Sequence, residues 1–224
     1  VVYRVGDQTP IEIADIVTGP GFATSAAGRV LEGKTVVVTA GPTREPIDPV
    51  RYLSNRSSGK MGYALAAAAA RAGASVTLIS GPVALAPPRR VELRQVLTAA
   101  DIYAATHEVI GDADIFVAAA AVADYRPAEV AAAKIKKAAE RMTLELVRTE
   151  DILASVAALP DAPFTVGFAA ETNDLERYAR GKLESKGLDM IVANAVGDGR
   201  GFDSDDNAVE VYWREGARAF PLAA

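Results

Sequence analysis

Five side chains suited to holding an oxyanion fall within six consecutive positions: Asn55, Arg56, Ser57, Ser58 and Lys60. They close a loop that begins at Ile47-Asp48-Pro49-Val50-Arg51 and runs through Gly59 and Gly62 into an Ala-rich, helix-like stretch. Small residues and unpaired N–H groups at a helix N-terminus favour a bound anion, and the two glycines would let a phosphate approach the backbone. The same residues also suit a flexible loop with a capped helix. The loop is not a Walker A motif: Ser54 stands where the upstream glycine should be, and Met61 follows Lys60 where Ser or Thr would hold magnesium. The NAD fingerprint fails as well. No G-x-G-x-x-G follows the apolar run at 36–38, and the run at 76–79 ends on Ser80-Gly81-Pro82 rather than near an acid for the ribose.

Further along, Ala118, Ala119 and Ala120 leave an apolar run with side chains small enough for a planar or sugar group to lie against the backbone. Asp124 could take ribose hydroxyls or magnesium, or cap the turn before Pro127. Lys134-Ile135-Lys136-Lys137 is either a solvated face or a source of cations for a reacting triphosphate. Thr149-Glu150-Asp151-Ile152-Leu153 reads first as a helix N-cap with acids in its opening turn, and its edge could also read a base. Phe168 ends another apolar run, where an aromatic either fills core or stacks on a base. Lys182 and Lys186, four apart on one helix face, could reach the same phosphates or serve only as surface charge. His107 lies off the apolar face of Ile102, Val109 and Ile110 and reads as a solvated residue without a role.

The elements that must position these residues follow from the pattern. Continuous apolar runs at 36–38 and 115–118 read as strands buried on both faces; 76–79, 164–168 and 190–193 read as further strands, and 91–96 alternates as another. Helical spacing fills 61–72, 98–110, 151–159 and 174–186 between them. The alternation argues an α/β fold: a mostly parallel sheet with helices on both faces, closed by an antiparallel hairpin over 209–222. The chain has 224 residues, half of them hydrophobic, with a net charge of −5. That is a composition for a folded domain, and the acidic balance speaks against a duplex nucleic-acid binder. The absence of cysteine excludes disulfides, thiolate metal sites and a Cys nucleophile, and one histidine is too few for a His-rich zinc site. No segment has the length or apolarity of a membrane span or a signal peptide. With no cysteine and no export signal, a cytoplasmic location is expected.

Taken in order, several segments resemble phosphopantothenoylcysteine synthetase. They are Gly41-Pro42-Thr43-Arg44-Glu45, Ile47-Asp48-Pro49-Val50-Arg51-Tyr52, Ser54-Asn55-Arg56-Ser57-Ser58-Gly59-Lys60-Met61-Gly62, Ala120-Ala121-Val122-Ala123-Asp124-Tyr125-Arg126, Lys134-Ile135-Lys136-Lys137, Gly167-Phe168-Ala169-Ala170-Glu171-Thr172 and Gly201-Phe202-Asp203-Ser204-Asp205-Asp206-Asn207. The resemblance implies a Rossmann-like ligase that joins 4′-phosphopantothenate to cysteine with CTP and magnesium, through an acyl-cytidylate, releasing pyrophosphate and then CMP. It implies Asn55 at the acyl-activation step and Lys134 beside the α-phosphate as catalytic residues. It implies nucleotide contacts from Ala118, Ala119, Ala120, Asp124, Lys134, Glu150, Asp151, Ile152, Leu153, Phe168, Lys182 and Lys186. Asp48, Arg51, Asn55, Ser57, Ser58 and Gly59 would bind the acyl substrate. The resemblance also implies a homodimer, with the weakly alternating 142–147 segment pairing with a second copy. It implies fusion to, or association with, a flavin-dependent phosphopantothenoylcysteine decarboxylase. Residues 1–32 would then be a leader or linker remnant and 33–224 the CTP-binding ligase domain, with neither nucleic acid nor membrane as a partner.

Overall fold

The structure, a computed structural model, describes residues 29–137, 140–171, 174–195 and 209–220. The expected leader up to residue 28, Thr172, the 201–207 motif and the end of the hairpin at 221–222 lie outside the described residues. An eight-stranded sheet forms the centre. Six strands run parallel: β1 (Thr35–Ala40), β4 (Ser75–Ser80), β5 (Val91–Gln95), β6 (Ile115–Ala118), β9 (Phe164–Glu171) and β10 (Met190–Ala195). The strands β11 (Val209–Trp213) and β12 (Gly216–Phe220) add the expected antiparallel hairpin at the β10 edge. Across the sheet the parallel strands read β5-β4-β1-β6-β9-β10, the strand order of the dinucleotide-binding fold.

Both faces of the sheet are covered, which is why the strands lack polar alternation. On one face α1 (Lys60–Arg71) packs Tyr63, Leu65, Ala66 and Ala69 with Val36, Val38, Val76 and Leu78. On the other, α2 (Ala99–Val109) and α3 (Ile152–Ala157) enclose Val37, Ile79, Phe116 and Val156. There α4 (Leu175–Ser185) closes over Ile191, Ala193 and Tyr212. Leu31 is buried in the first of these clusters and bonds through its N–H to the Ala72 carbonyl, so the folded unit takes in the last residues of the expected leader. Two small antiparallel ribbons stand apart from the sheet: β2 (Arg44–Pro46) with β3 (Tyr52–Ser54), and β7 (Tyr125–Pro127) with β8 (Leu146–Arg148). Among the described residues no helix is long and apolar enough to cross a membrane.

In the loop before α1, Gly59 and Gly62 make room for the chain itself. A Cβ on Gly62 would fall 2.5 Å from the Ala40 side chain at the end of β1. Gly59 adopts φ +76° as the N-cap of α1, against Val83.

Candidate functional site

Successive strands are added on one side of β1 up to β5, and then the chain returns to place β6 on the other side. The carboxyl ends of β1 and β6 therefore diverge, which is where ligands bind in open α/β sheets. Beyond β6 the backbone stays beside the end of β1. Ala119 N–H donates to the Thr39 carbonyl, Ala120 N–H to Thr39 Oγ1 at 3.3 Å, and Ala121 N–H to the Gly41 carbonyl. A cleft of about 550 Å³ opens here. Thr39, Ala118 and Ala120 line its floor, and small side chains are what leave the backbone accessible there. Val122, Asp124, Tyr125, Arg148, Thr149, Glu150, Asp151, Ile152, Leu153, Phe168, Leu188 and Ile191 line the rest of it. Lys182 and Lys186 reach in from α4.

Of the residues expected to contact a nucleotide, all but Ala119 and Lys134 line this cleft. Ala119 alternates to the opposite face and packs on the α1 side of the core. Asp151 is the N-cap of α3, accepting from Ala154 N–H at 3.0 Å, while its other oxygen pairs with Lys186 Nζ at 2.8 Å. Burial pushes its carboxyl upward, but Lys186 and the Ala154 N–H outweigh it and hold the group below its ordinary value. The Tyr125 hydroxyl, aided by the Asp124 charge, holds the Arg148 guanidinium more firmly protonated than usual.

The β2–β3 loop flanks the same switch point and is built differently. Asp48 is 3% exposed, and its carboxylate accepts from Val50 N–H, Arg51 N–H, Arg51 Nε at 3.0 Å and Ile135 N–H at 3.1 Å. Arg51 Nη2 adds a second bond to Asp48 and donates to the Ile135 carbonyl at 2.9 Å. The Arg51 guanidinium, with these N–H groups, holds the Asp48 carboxyl far below the usual carboxylate range against the opposing effect of burial. A substrate contact by Asp48 would require breaking this set. The bonds instead grip Ile135 from both sides and so fix its neighbour Lys134, which stands exposed and outside the cleft lining. Asn55 is exposed and donates from Nδ2 to the Val122 carbonyl at 2.9 Å, bridging the loop to the cleft wall. Ser57 and Ser58 turn their hydroxyls to Gly59 and Lys60 N–H, closing the loop before α1.

Three positioning residues gave no periodic signal in the sequence. Thr43 is buried, accepts from Ala123 N–H at 3.0 Å, and offers its carbonyl to Ser54 Oγ. Thr149 Oγ1 donates to the Ala123 carbonyl at 2.6 Å. Glu45, 1% exposed, accepts from Ala99 N–H at 2.8 Å and caps α2 from outside its own segment. His107 is corrected too. It is half-buried, 2.9 Å from Ser155 Oγ through Nε2, with its ring 4.3 Å from that of Tyr103. It faces α3, an element that the spacing of α2 alone does not reveal.

Among the described residues no group of three or more His, Asp or Glu side chains could form a cage for a metal ion. Magnesium is usually held by one or two carboxylates together with substrate phosphates. The cleft fits that manner of binding, since Asp124 and Glu150 line it together with Lys182 and Lys186.

The model for the DNA/pantothenate metabolism flavoprotein C-terminal domain matches residues 31–224. The Vibrio parahaemolyticus coenzyme A biosynthesis bifunctional protein CoaBC is 57% identical over 198 residues, covering 87% of this chain and 50% of that protein. The Escherichia coli protein of the same name is 50% identical over 224 residues, covering 97% of this chain and 55% of that one. The chain thus spans about half the length of the curated relatives it matches. The crystal structure of the C-terminal domain of a CoaBC superposes with a TM-score of 0.75 at 43% identity, covering 88% of this chain and 90% of that one. A Cab2 mutant in complex with phosphopantothenate-cysteine shares the fold at TM-score 0.71 and 17% identity, covering 85% of this chain and 80% of that one.

Proposed function

Because the chain belongs to the DNA/pantothenate metabolism flavoprotein C-terminal domain family, we propose that it is the ligase that joins 4′-phosphopantothenate to cysteine in coenzyme A biosynthesis, using CTP and magnesium in the cytoplasm. The observation that carries this reading is the cleft at the switch point, where a small-residue floor, Asp124, the Ile152–Leu153 edge, Phe168 and two lysines converge. A base can lie between Phe168 and the backbone, a ribose beside Asp124, and phosphates towards Lys182 and Lys186. Magnesium, carried by the phosphates and Asp124, would draw charge from the leaving pyrophosphate.

The chemistry needs neither cysteine nor histidine. The carboxylate of phosphopantothenate is already a nucleophile. It attacks the α-phosphorus of CTP, and pyrophosphate leaves with the bonding electron pair. Cysteine's amine then attacks the acyl carbon, loses a proton as the amide forms, and CMP leaves. Positioning and charge stabilisation are what such steps require. Asn55 would orient the carboxylate without repelling it. Lys134, on the excursion fixed by Ile135, would meet the α-phosphate as a flexible point charge. Fusion to, or association with, a flavin-dependent decarboxylase accounts for the remaining length of the bifunctional relatives. The 142–147 segment, with Met142 and Leu146 exposed, is proposed to pair with a second copy, giving a homodimer.

The test is pyrophosphate release on mixing the protein with CTP, magnesium and 4′-phosphopantothenate, followed by product formation when cysteine is added. A panel of nucleotides in the same assay sets the preference for CTP over ATP. Nucleotide binding without pyrophosphate release would reduce the protein to a binding module on the same fold.

A further inference from the structure

The helix α3 carries two residues of the cleft wall, Ile152 and Leu153, yet it runs only from Ile152 to Ala157. A helix so short does not hold itself together in water, so its first turn depends on outside anchors. One anchor is the Asp151 cap. The second comes from behind the cleft. Ser155 Oγ donates its one proton to the Ile152 carbonyl at 2.8 Å. With the hydroxyl donating there, the 2.9 Å contact between Ser155 Oγ and His107 Nε2 is assigned to the Nε2–H tautomer, the imidazole donating and the hydroxyl accepting. The Tyr103 ring, tilted by 42° at 4.3 Å, holds the imidazole in place from the same helix.

We propose that the chain's single histidine is a positioning residue: through Ser155, His107 fixes the Ile152 peptide and with it the wall against which the nucleotide lies. The proposal rests on the reading of the cleft as the nucleotide site. His107 touches no reacting atom. Its contribution is to keep the first turn of α3 in the bound geometry before the nucleotide arrives, so that binding does not have to order it.

His107→Phe keeps an aromatic ring against Tyr103 and removes the donor. The expected result is a rise of about three- to tenfold in KM for the nucleotide, the size of one lost hydrogen bond. The kcat at saturating nucleotide and the KM values for phosphopantothenate and cysteine stay within about twofold. His107→Gln, which returns an N–H donor at similar reach, restores the nucleotide KM. Ser155→Ala raises it as His107→Phe does, and the double variant adds nothing further, as expected when both remove one interaction. A nucleotide KM unchanged in both single variants overturns the proposal. So does a Gln variant that behaves like Phe, or a parallel shift in all substrate constants, which would mark a merely structural residue. Phe168→Ala and Lys182→Ala serve as controls on the cleft. If they raise the nucleotide KM and His107→Phe does not, only the role of His107 fails; if neither does in an active ligase, the cleft reading fails and the proposal falls with it.

Discussion

The two flanks of the switch point hold their polar residues in opposite ways. On the β2–β3 flank they are buried and bonded to one another: Asp48 to Arg51 and Ile135, Thr43 to Ala123, Glu45 to the start of α2. On the cleft flank they face solvent, and Asp151 and Lys186 form a partly exposed pair. The first arrangement holds the backbone through several buried bonds, which is what the proposed placement of Lys134 and Asn55 against a reacting centre demands. The second leaves cations and carboxylates ready to exchange partners, which is what reversible capture of a charged ligand demands. Changes on the loop flank should therefore appear in rate, and changes on the cleft flank in affinity.

The largest expected effect tests the loop flank at its tip. Removing one preorganised charge typically costs about 10² to 10³ in rate. Lys134→Gln should lose product formation by that factor, still release pyrophosphate in a burst, and accumulate acyl-cytidylate visible by mass spectrometry with cysteine present. Lys136→Gln and Lys137→Gln should do far less. Equal modest effects across the three would make the run a charged surface and remove the contrast between the flanks. Asn55→Ala should fall earlier in the sequence, losing about 10²-fold in pyrophosphate release while nucleotide binding persists. A normal rate of release by that variant would show that Asn55 only bridges to Val122.

Much of this architecture was legible in the chain, and the parts that were not share a cause. The strands β1, β4, β6 and β10 are apolar because helices cover both faces, so their runs gave them away. The spacing placed α2 over 98–110 and α4 over 174–186, each within a residue of the observed ends, Ala99–Val109 and Leu175–Ser185. The ribbon strands β2, β3, β7 and β8, three residues each, carry no usable period. They exist through tertiary bonds such as Arg44 N–H to the Leu97 carbonyl and Thr149 N–H to the Asp124 carbonyl. The anchoring bonds of Asp48 and Glu45 are hidden for the same reason: nothing in the sequence marks a carboxylate that will be buried to hold a loop. The β9 strand extends beyond the expected 164–168 to Glu171 because β10 pairs with it that far, to Ala195.

The next effect concerns stability. Asp48→Asn removes the charge that grips Arg51 and Ile135 and should lower the melting temperature more than any cleft substitution. The sign of its pH dependence follows from the depressed folded value. As pH falls through about 4, the unfolded chain takes up a proton at this residue that the folded chain does not, so the wild type loses stability there. The variant lacks that loss. The gap between the two melting temperatures should be widest above pH of about 5 and narrow below about 4. A gap independent of pH would mean that the ion pair contributes nothing and that the loop is held by packing alone.

The smallest effect is the most discriminating for the cleft flank. Asn caps a helix about as well as Asp, so Asp151→Asn should leave α3 in place and remove only the pair with Lys186. With side chains 49% and 31% exposed, that pair is worth no more than about 1 kcal/mol, and the melting temperature should scarcely move. Nucleotide affinity should respond more clearly. If Lys186 must leave Asp151 to reach a phosphate, releasing it in advance should tighten binding by up to about fivefold, the equivalent of that pair. The gain should shrink in high salt, where the pair is already screened. Isothermal titration of both proteins with CTP at low and high salt decides it. Weaker binding by the variant at both salts would mean that the Asp151 carboxylate contacts the nucleotide itself, and that the residue holds a ligand rather than holding Lys186 until a ligand comes.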